Sequence, residues 1–150
     1  MTGRHRAARM AGFAAAAALV GLAACHHGRV PLPSLTSVPA ADTAAVVERG
    51  AYVVRSAAAC AQCHAPVGAD LADDAPLEGG RAFRDWRLGV VRASNLTPDS
   101  ATGIGAWSEA EIVRALRNGE ARDGRLLAPV MPYAWLHEMS DDDAIAVARY

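Results

Sequence analysis

Lysine is absent from this chain: all 15 basic residues are arginine, and they face 16 acidic residues for a net charge of −1. That balance leaves no basic footprint of the kind a nucleic-acid partner requires. Cysteine is scarce too, with Cys25, Cys60 and Cys63 alone in 150 residues. A structural zinc site needs four ligands, usually as two separated pairs. Beyond Cys60, Cys63 and His64 the chain offers Cys25, His5, His26, His27 and His137, with no second pair of metal-ligand spacing. No apolar run reaches the 18 or so residues needed to cross a bilayer, and no internal repeat is present.

The longest apolar run, Met10 to Ala24, follows the positive start Arg4-His5-Arg6 and Arg9. Its length and flank fit the core of a signal peptide. It ends in Leu22-Ala23-Ala24-Cys25, which resembles the lipobox of bacterial lipoproteins. That resemblance implies cleavage before Cys25 and acylation of its thiol and new amino terminus. Residues 1–24 are therefore expected to leave as a lipoprotein signal peptide, taking three arginines and leaving 12 against 16 acidic residues. Residues 25–41 are then a lipidated cysteine and flexible tether, with Pro31, Pro33 and Pro39 among small residues. Durable anchoring takes more than one acyl chain, each methylene adding about 0.8 kcal/mol. The ordinary alternative is a secretory signal ending beside an unrelated thiol.

Residues 42–150 are expected to form one small domain. Within it, Cys60-Ala61-Gln62-Cys63-His64 carries the chemistry. Cys-x-x-Cys-His is the pattern of covalent c-type haem attachment. Thiols three positions apart share one face of a helical turn, so each can add to one vinyl group of the porphyrin. The following imidazole is then placed to take the iron. A redox dithiol would need a βαβ context, whereas the upstream segment reads as helix and the downstream one as loop.

A first helix is predicted from a cap at Asp42 or Thr43 through Ala59, with Val46, Gly50, Val53 or Val54 and Ala57 at helical spacing. Gly50 inside a helix costs roughly 1 kcal/mol and implies close packing. Residues 65–106 read as loop, with a short strand at Leu88-Gly89-Val90-Val91 and a turn at Thr97-Pro98-Asp99. Ser108 and Glu111 form a capping box, with Trp107 placed to staple onto Ile112. That helix is expected to bury Ile112, Ala115 and Leu116, turn Arg114 and Arg117 away, and stop at Asn118-Gly119. Ser140 and Asp143 open a last helix, which runs out at Tyr150 after barely ten residues; a further turn or two is expected to be missing.

The second axial position decides between electron transfer and ligand chemistry. Met131, in the stiff segment Pro129-Val130-Met131-Pro132-Tyr133, is the leading candidate. Met139 precedes the Ser140 cap, where a packing role is expected. His137 is read as a solvent-facing loop residue. Arg81, Arg84, Arg87 and Arg92 are candidates for pairing with haem propionates, and Trp107 for packing at their edge.

From about Val47 to Tyr150 the chain resembles class I cytochrome c, and within it the cytochrome subunits of bacterial membrane-bound dehydrogenases. The resemblance is carried by Cys60-Ala61-Gln62-Cys63-His64, Gly79-Gly80-Arg81 and Ser94-Asn95-Leu96-Thr97-Pro98-Asp99. It continues through Thr102-Gly103-Ile104-Gly105-Ala106-Trp107-Ser108, Arg122-Asp123-Gly124-Arg125 and Met131-Pro132-Tyr133. It implies an all-α cytochrome c fold, with three to four short helices and long loops wrapped around one covalent haem c. Cys60 and Cys63 would hold the porphyrin, with His64 proximal and Met131 distal, and the first and last helices would cross with Gly50 close to Tyr150. The expected function is electron transfer without substrate chemistry, from a dehydrogenase towards quinone or an oxidase. The expected place is the periplasmic side of a bacterial membrane. The departure is that dehydrogenase cytochrome subunits often hold three haem domains, whereas this chain has one motif. The competing reading is a haem sensor or peroxidase-like enzyme with an open distal face.

Overall fold

A glycine in the middle of the first helix decides how the two ends of the domain meet. The computed structural model describes residues 43–71 and 75–150. Helix α1 spans Thr43–Tyr52 and α5 spans Asp141–Arg149. A Cβ built on Gly50 would run into the carbonyl of Ala146 and lie 2.8 Å from Cβ of Tyr150. Only the missing side chain lets the helices pack this closely. Around the crossing, Arg49 forms two hydrogen bonds with the Asp143 carboxylate, 2.7 and 3.1 Å. Arg55 donates to the Tyr150 hydroxyl at 3.0 Å and lies over its ring.

The chain between these ends supplies further short elements. After α1 the backbone widens into a π-helical turn, Val53–Ala57, then α2 covers Ala61–His64. Strands β1, Ala82–Asp85, and β2, Gly89–Arg92, pair antiparallel with Phe83 opposite Val91 and Arg84 opposite Val90. Helix α3 is Glu109–Asn118 and α4 is the single turn Tyr133–Leu136. The core is built from the π-helical turn, α3 and α5. Val53, Val54, Val113, Leu116, Ala144, Ile145 and Ala146 are buried, and each larger apolar side chain contributes about 1.5–3 kcal/mol. The result is a small, helix-rich, cytochrome c-like fold with long connections and, among the described residues, one hairpin.

Several expectations need correction. The first helix gives way at Tyr52 to the π-helical turn, and helical structure ends at the exposed Ala57, two residues before Ala59 takes a left-handed conformation at φ 48°. Strand β2 has a partner, β1, that sequence alternation did not reveal. On α3 the buried face centres on Val113 and Leu116, with Ile112 and Ala115 half-buried. Arg117 is buried rather than turned outward, donating to the Asp141 carboxylate at 2.6 Å and to the His137 carbonyl at 3.2 Å. His137 is half-buried, its Nδ1 3.2 Å from the Arg117 carbonyl. The signal, Cys25, the tether and Asp42 lie outside the described residues.

The capping motifs hold. Ser108 and Glu111 satisfy each other's backbone N–H groups, and Gly119 ends α3 at φ 65°. Ser140 accepts from the N–H of Asp143, but the Asp143 carboxylate turns to Arg49 instead of closing the box. Residues 94–106 fold on their own side chains. The Asn95 side-chain oxygen accepts from Thr97, the Asp99 carboxylate accepts from Ala101 and Thr102, and the Asn95 amide donates to the Thr102 hydroxyl. A loop with this much internal bonding needs no regular structure to be ordered.

Two stability measurements test this frame. Ala59→Gly relieves a left-handed alanine and is expected to raise stability by about 1 kcal/mol in thermal unfolding. Acid is expected to weaken the fold through carboxylates held below their ordinary range. Hydrogen bonds from Thr102 do this to Asp99, the backbone bond at Ser108 to Glu111, and the Arg49 guanidinium to Asp143. A depressed folded value means that the contribution is complete above the unfolded value, about 4, and is lost as pH falls through the folded one. Asp143→Asn should therefore flatten the stability loss below about pH 4; an unchanged acid limb would contradict the assignment.

Candidate haem attachment site

The site begins where the π-helical turn ends. The left-handed Ala59 breaks the helix, and the N–H of Cys60 reaches back to the Val54 carbonyl at 2.9 Å. Cys60 then opens a new turn, with His64 N–H bonded to its carbonyl at 2.9 Å and Ala65 N–H to that of Ala61 at 3.0 Å. Cys60 and Cys63 are one helical step of three apart and share a face. Both are half-buried free thiols. Burial pushes the Cys60 thiol up, with a smaller rise from Cys63 opposed by its own backbone hydrogen bond.

His64 is 8% exposed and held at both ends. Its Nδ1 lies 2.8 Å from the Ser94 carbonyl. A carbonyl only accepts, so Nδ1 carries the proton and Nε2 keeps its lone pair. Burial holds the imidazole below its ordinary value, outweighing the Ser94 hydrogen bond that favours the charged form. The ring is thus neutral and oriented, with Nε2 able to act as a nitrogen donor. Its backbone is fixed by a second contact, the Gly79 N–H donating to the His64 carbonyl at 2.6 Å. Gly79 sits at φ 75°, and a Cβ there would come within 2.5 Å of the Ser94 carbonyl carbon. One glycine therefore lets the Ser94 segment approach close enough to hold the ring.

These residues fit a c-type haem by three observations. The two thiols are free and on one turn. The imidazole presents Nε2. Arg81, two residues beyond Gly79, has a buried Nε with no hydrogen-bond partner among the described residues, the kind of donor that a propionate carboxylate satisfies. Arg84, Arg87 and Arg92 are exposed on the hairpin instead. Trp107 is half-buried and lines a cleft of about 430 Å³ with Ala121, Arg122, Asp123 and Arg125.

The structure places Met131 in a tight turn before α4, its N–H on the Ala128 carbonyl and its carbonyl accepting from Tyr133. Tyr133 stacks against Gly119, where a Cβ would fall 2.7 Å from the ring. Met131 is half-buried against the Val113, Leu116 and Ala144 cluster, and Met139 packs on that same cluster. Sequence reasoning missed Ser94 as a partner of the imidazole and found no physical role for Gly79. The sequence signal available for the approach of the two segments was the glycine pair Gly79-Gly80, and the Ser94 carbonyl itself left none.

The chain is 41% identical over 108 residues to a nicotinate dehydrogenase subunit of Pseudomonas putida, covering 72% of this chain and 8% of that protein. It is 37% identical over 106 residues to the gluconate 2-dehydrogenase cytochrome c subunit of Pantoea cypripedii, covering 71% and 22%. The cytochrome c subunit of the quinone-type alcohol dehydrogenase of Gluconacetobacter polyoxogenes matches at 36% over 117 residues, covering 78% and 23%. This chain is homologous to cytochrome c subunits of dehydrogenases. It spans less than a quarter of the length of each of these relatives. No protein-family model matches it.

The two glycines at this site provide an internal control. Gly79→Ala meets backbone atoms, whereas Gly80→Ala, also at positive φ (82°), meets nothing within 4 Å. Gly80→Ala is expected to cost only the left-handed penalty of about 1–2 kcal/mol. Gly79→Ala should cost clearly more in thermal unfolding and lose the His64–Ser94 contact; equal effects would contradict the role given to Gly79.

Proposed function

We propose that this chain is a single-haem c-type electron carrier of the class I type, serving a dehydrogenase. The observation that carries the reading is His64, buried and locked through Nδ1 to Ser94, directly after two free thiols on one turn. Relatives named as cytochrome c subunits of dehydrogenases support haem-based electron transfer.

In this reading Cys60 and Cys63 would hold the porphyrin through their sulfurs, and His64 Nε2 and the Met131 sulfur would be the donors offered to its iron. The group they hold supplies an iron that alternates between ferric and ferrous. The protein's part is to keep both ligands in place through that change. The Ser94 hydrogen bond fixes the imidazole plane and strengthens its basicity. A thioether and an apolar surround favour the less charged ferrous state and raise the potential. The buried Arg81 Nε, which lacks a hydrogen-bond partner among the described residues, would balance a propionate. Electrons would come from a dehydrogenase partner and leave towards quinone or an oxidase.

The place of action belongs to the same proposal. The Leu22-Ala23-Ala24-Cys25 sequence supports a lipidated Cys25, a tether to residue 41 and a domain held on the periplasmic side of a bacterial membrane. No helix among the described residues is long and apolar enough to cross a membrane.

Axial ligation is tested by paired substitutions in protein made with cytochrome-maturation machinery. Met131→Ala is expected to lower the reduction potential and admit carbon monoxide to the reduced protein. Met139→Ala is expected to leave ligation unchanged and cost about 2 kcal/mol of stability. Rapid stoichiometric carbon monoxide binding by the unsubstituted protein at neutral pH would overturn electron carriage in favour of an open distal face.

A further inference from the structure

The β1–β2 hairpin has no part in the attachment chemistry, yet its tip gathers exposed apolar side chains. Trp86 is 84% exposed, and Leu88 and Val90 are about half exposed. The register puts Arg84 opposite Val90 on the outer face, while Phe83 and Val91 form the half-buried inner face. The Arg87 guanidinium lies 4.3 Å from the Trp86 ring centroid. An exposed indole with an arginine stacked on it and aliphatic side chains beside it is a costly surface to leave in water.

Charge on this hairpin differs from that on the remainder of the domain. Ala82 to Arg92 contain three arginines and one carboxylate, whereas the other described residues hold eight arginines against twelve carboxylates. The single carboxylate, Asp85, accepts from the N–H groups of Arg87 and Leu88 at 2.8 and 2.9 Å and closes the turn. Asp85 is half-buried and engaged inside the turn, so the charged groups exposed on the outer face and tip are guanidiniums.

We infer that the hairpin tip is a membrane-contacting finger that docks on anionic phospholipid. Trp sits favourably at headgroup depth, and arginine extends its charge to phosphate while its stem lies along apolar surface. Leu88 and Val90 enter the boundary beside Trp86, and Arg84 and Arg87 meet the lipid phosphates; Arg92, at the hairpin's base, donates to the Gly80 carbonyl. The net-acidic remainder of the domain is repelled by the same surface, which orients the domain tip-down. The 17 residues from Cys25 to Ala41 place the described domain within a short leash of the proposed acyl anchor. The finger would then set the domain's orientation, where the leash sets only its distance.

The test uses the mature chain carrying Cys25→Ser, secreted from an ordinary leader, so that no acyl chain contributes. Sedimentation with vesicles of three parts phosphatidylethanolamine to one part phosphatidylglycerol is expected to capture the protein at low salt. Vesicles of pure phosphatidylcholine should capture about tenfold less, and about 0.5 M salt should release it. Trp86→Ala, and separately Arg84→Glu with Arg87→Glu, should each lower the partition coefficient about tenfold or more with unchanged thermal unfolding. Trp135→Ala, equally exposed at 84% on α4, should change nothing. Vesicle binding that is absent, indifferent to phosphatidylglycerol or unaltered by the hairpin variants would overturn the inference. So would an unsubstituted chain that ignores vesicles while the hairpin variants slow its reduction by a dehydrogenase, since the tip would then dock on protein. Sedimentation reads protein, not haem, so failure here leaves the haem assignment standing, and the reverse is also true.

Discussion

The hydrogen bond between His64 Nδ1 and the Ser94 carbonyl is the constraint around which the rest of the domain is arranged. An imidazole on a single helical turn has no fixed orientation of its own. Here the ring is clamped by a segment 30 residues away, and the backbone beneath it by Gly79. The cost of assembling that clamp is loop closure, which grows only slowly with length. It is offset by ladder bonds that run on from the hairpin, with Gly80 N–H on the Ala93 carbonyl and Leu96 N–H on that of Leu77. The Asn95–Thr97 and Asp99–Thr102 hydrogen bonds then stiffen the far side of Ser94.

Two helical braces stand apart from this clamp. The crossing of α1 and α5 is a hard-packed frame, set by Gly50 and reinforced by Arg49 and Arg55. Arg117 forms the other brace, joining the end of α3 to the elbow between α4 and α5 through Asp141 and His137. Breaking such a partly buried pair leaves an unbalanced charge, which is why its removal costs more than its formation contributes. The Met131 turn hangs from this second brace, between Ala128 and Tyr133. Helix frame and loop clamp thus hold the two proposed axial ligands from independent supports.

Much of this was readable from residues alone where local rules dominate. Ser108 with Glu111, Gly119 after Asn118, and close packing at a helix-internal Gly50 each reflect a physical requirement that a short sequence window displays, whereas the last helix as the partner of Gly50 followed from the family resemblance. What failed depends on partners distant in sequence. Ala82-Phe83-Arg84-Asp85 carries no clear alternation, and it becomes a strand because β2 pairs with it. Arg117 looks like a surface residue until Asp141, 24 positions later, satisfies it. Ser94 contributes a backbone carbonyl, which no side-chain pattern can advertise. Ala59 is the sharpest case, because glycine is the residue expected at positive φ.

Covalent attachment at one turn of helix is the claim on which electron carriage depends. Intact mass measurement of the mature protein, made with cytochrome-maturation machinery, followed by fragmentation of the peptide holding Cys60 and Cys63, tests it most directly. The predicted result is an added mass of one haem per chain, retained on denaturation and localised to that peptide. A protein of bare polypeptide mass under those conditions would contradict it.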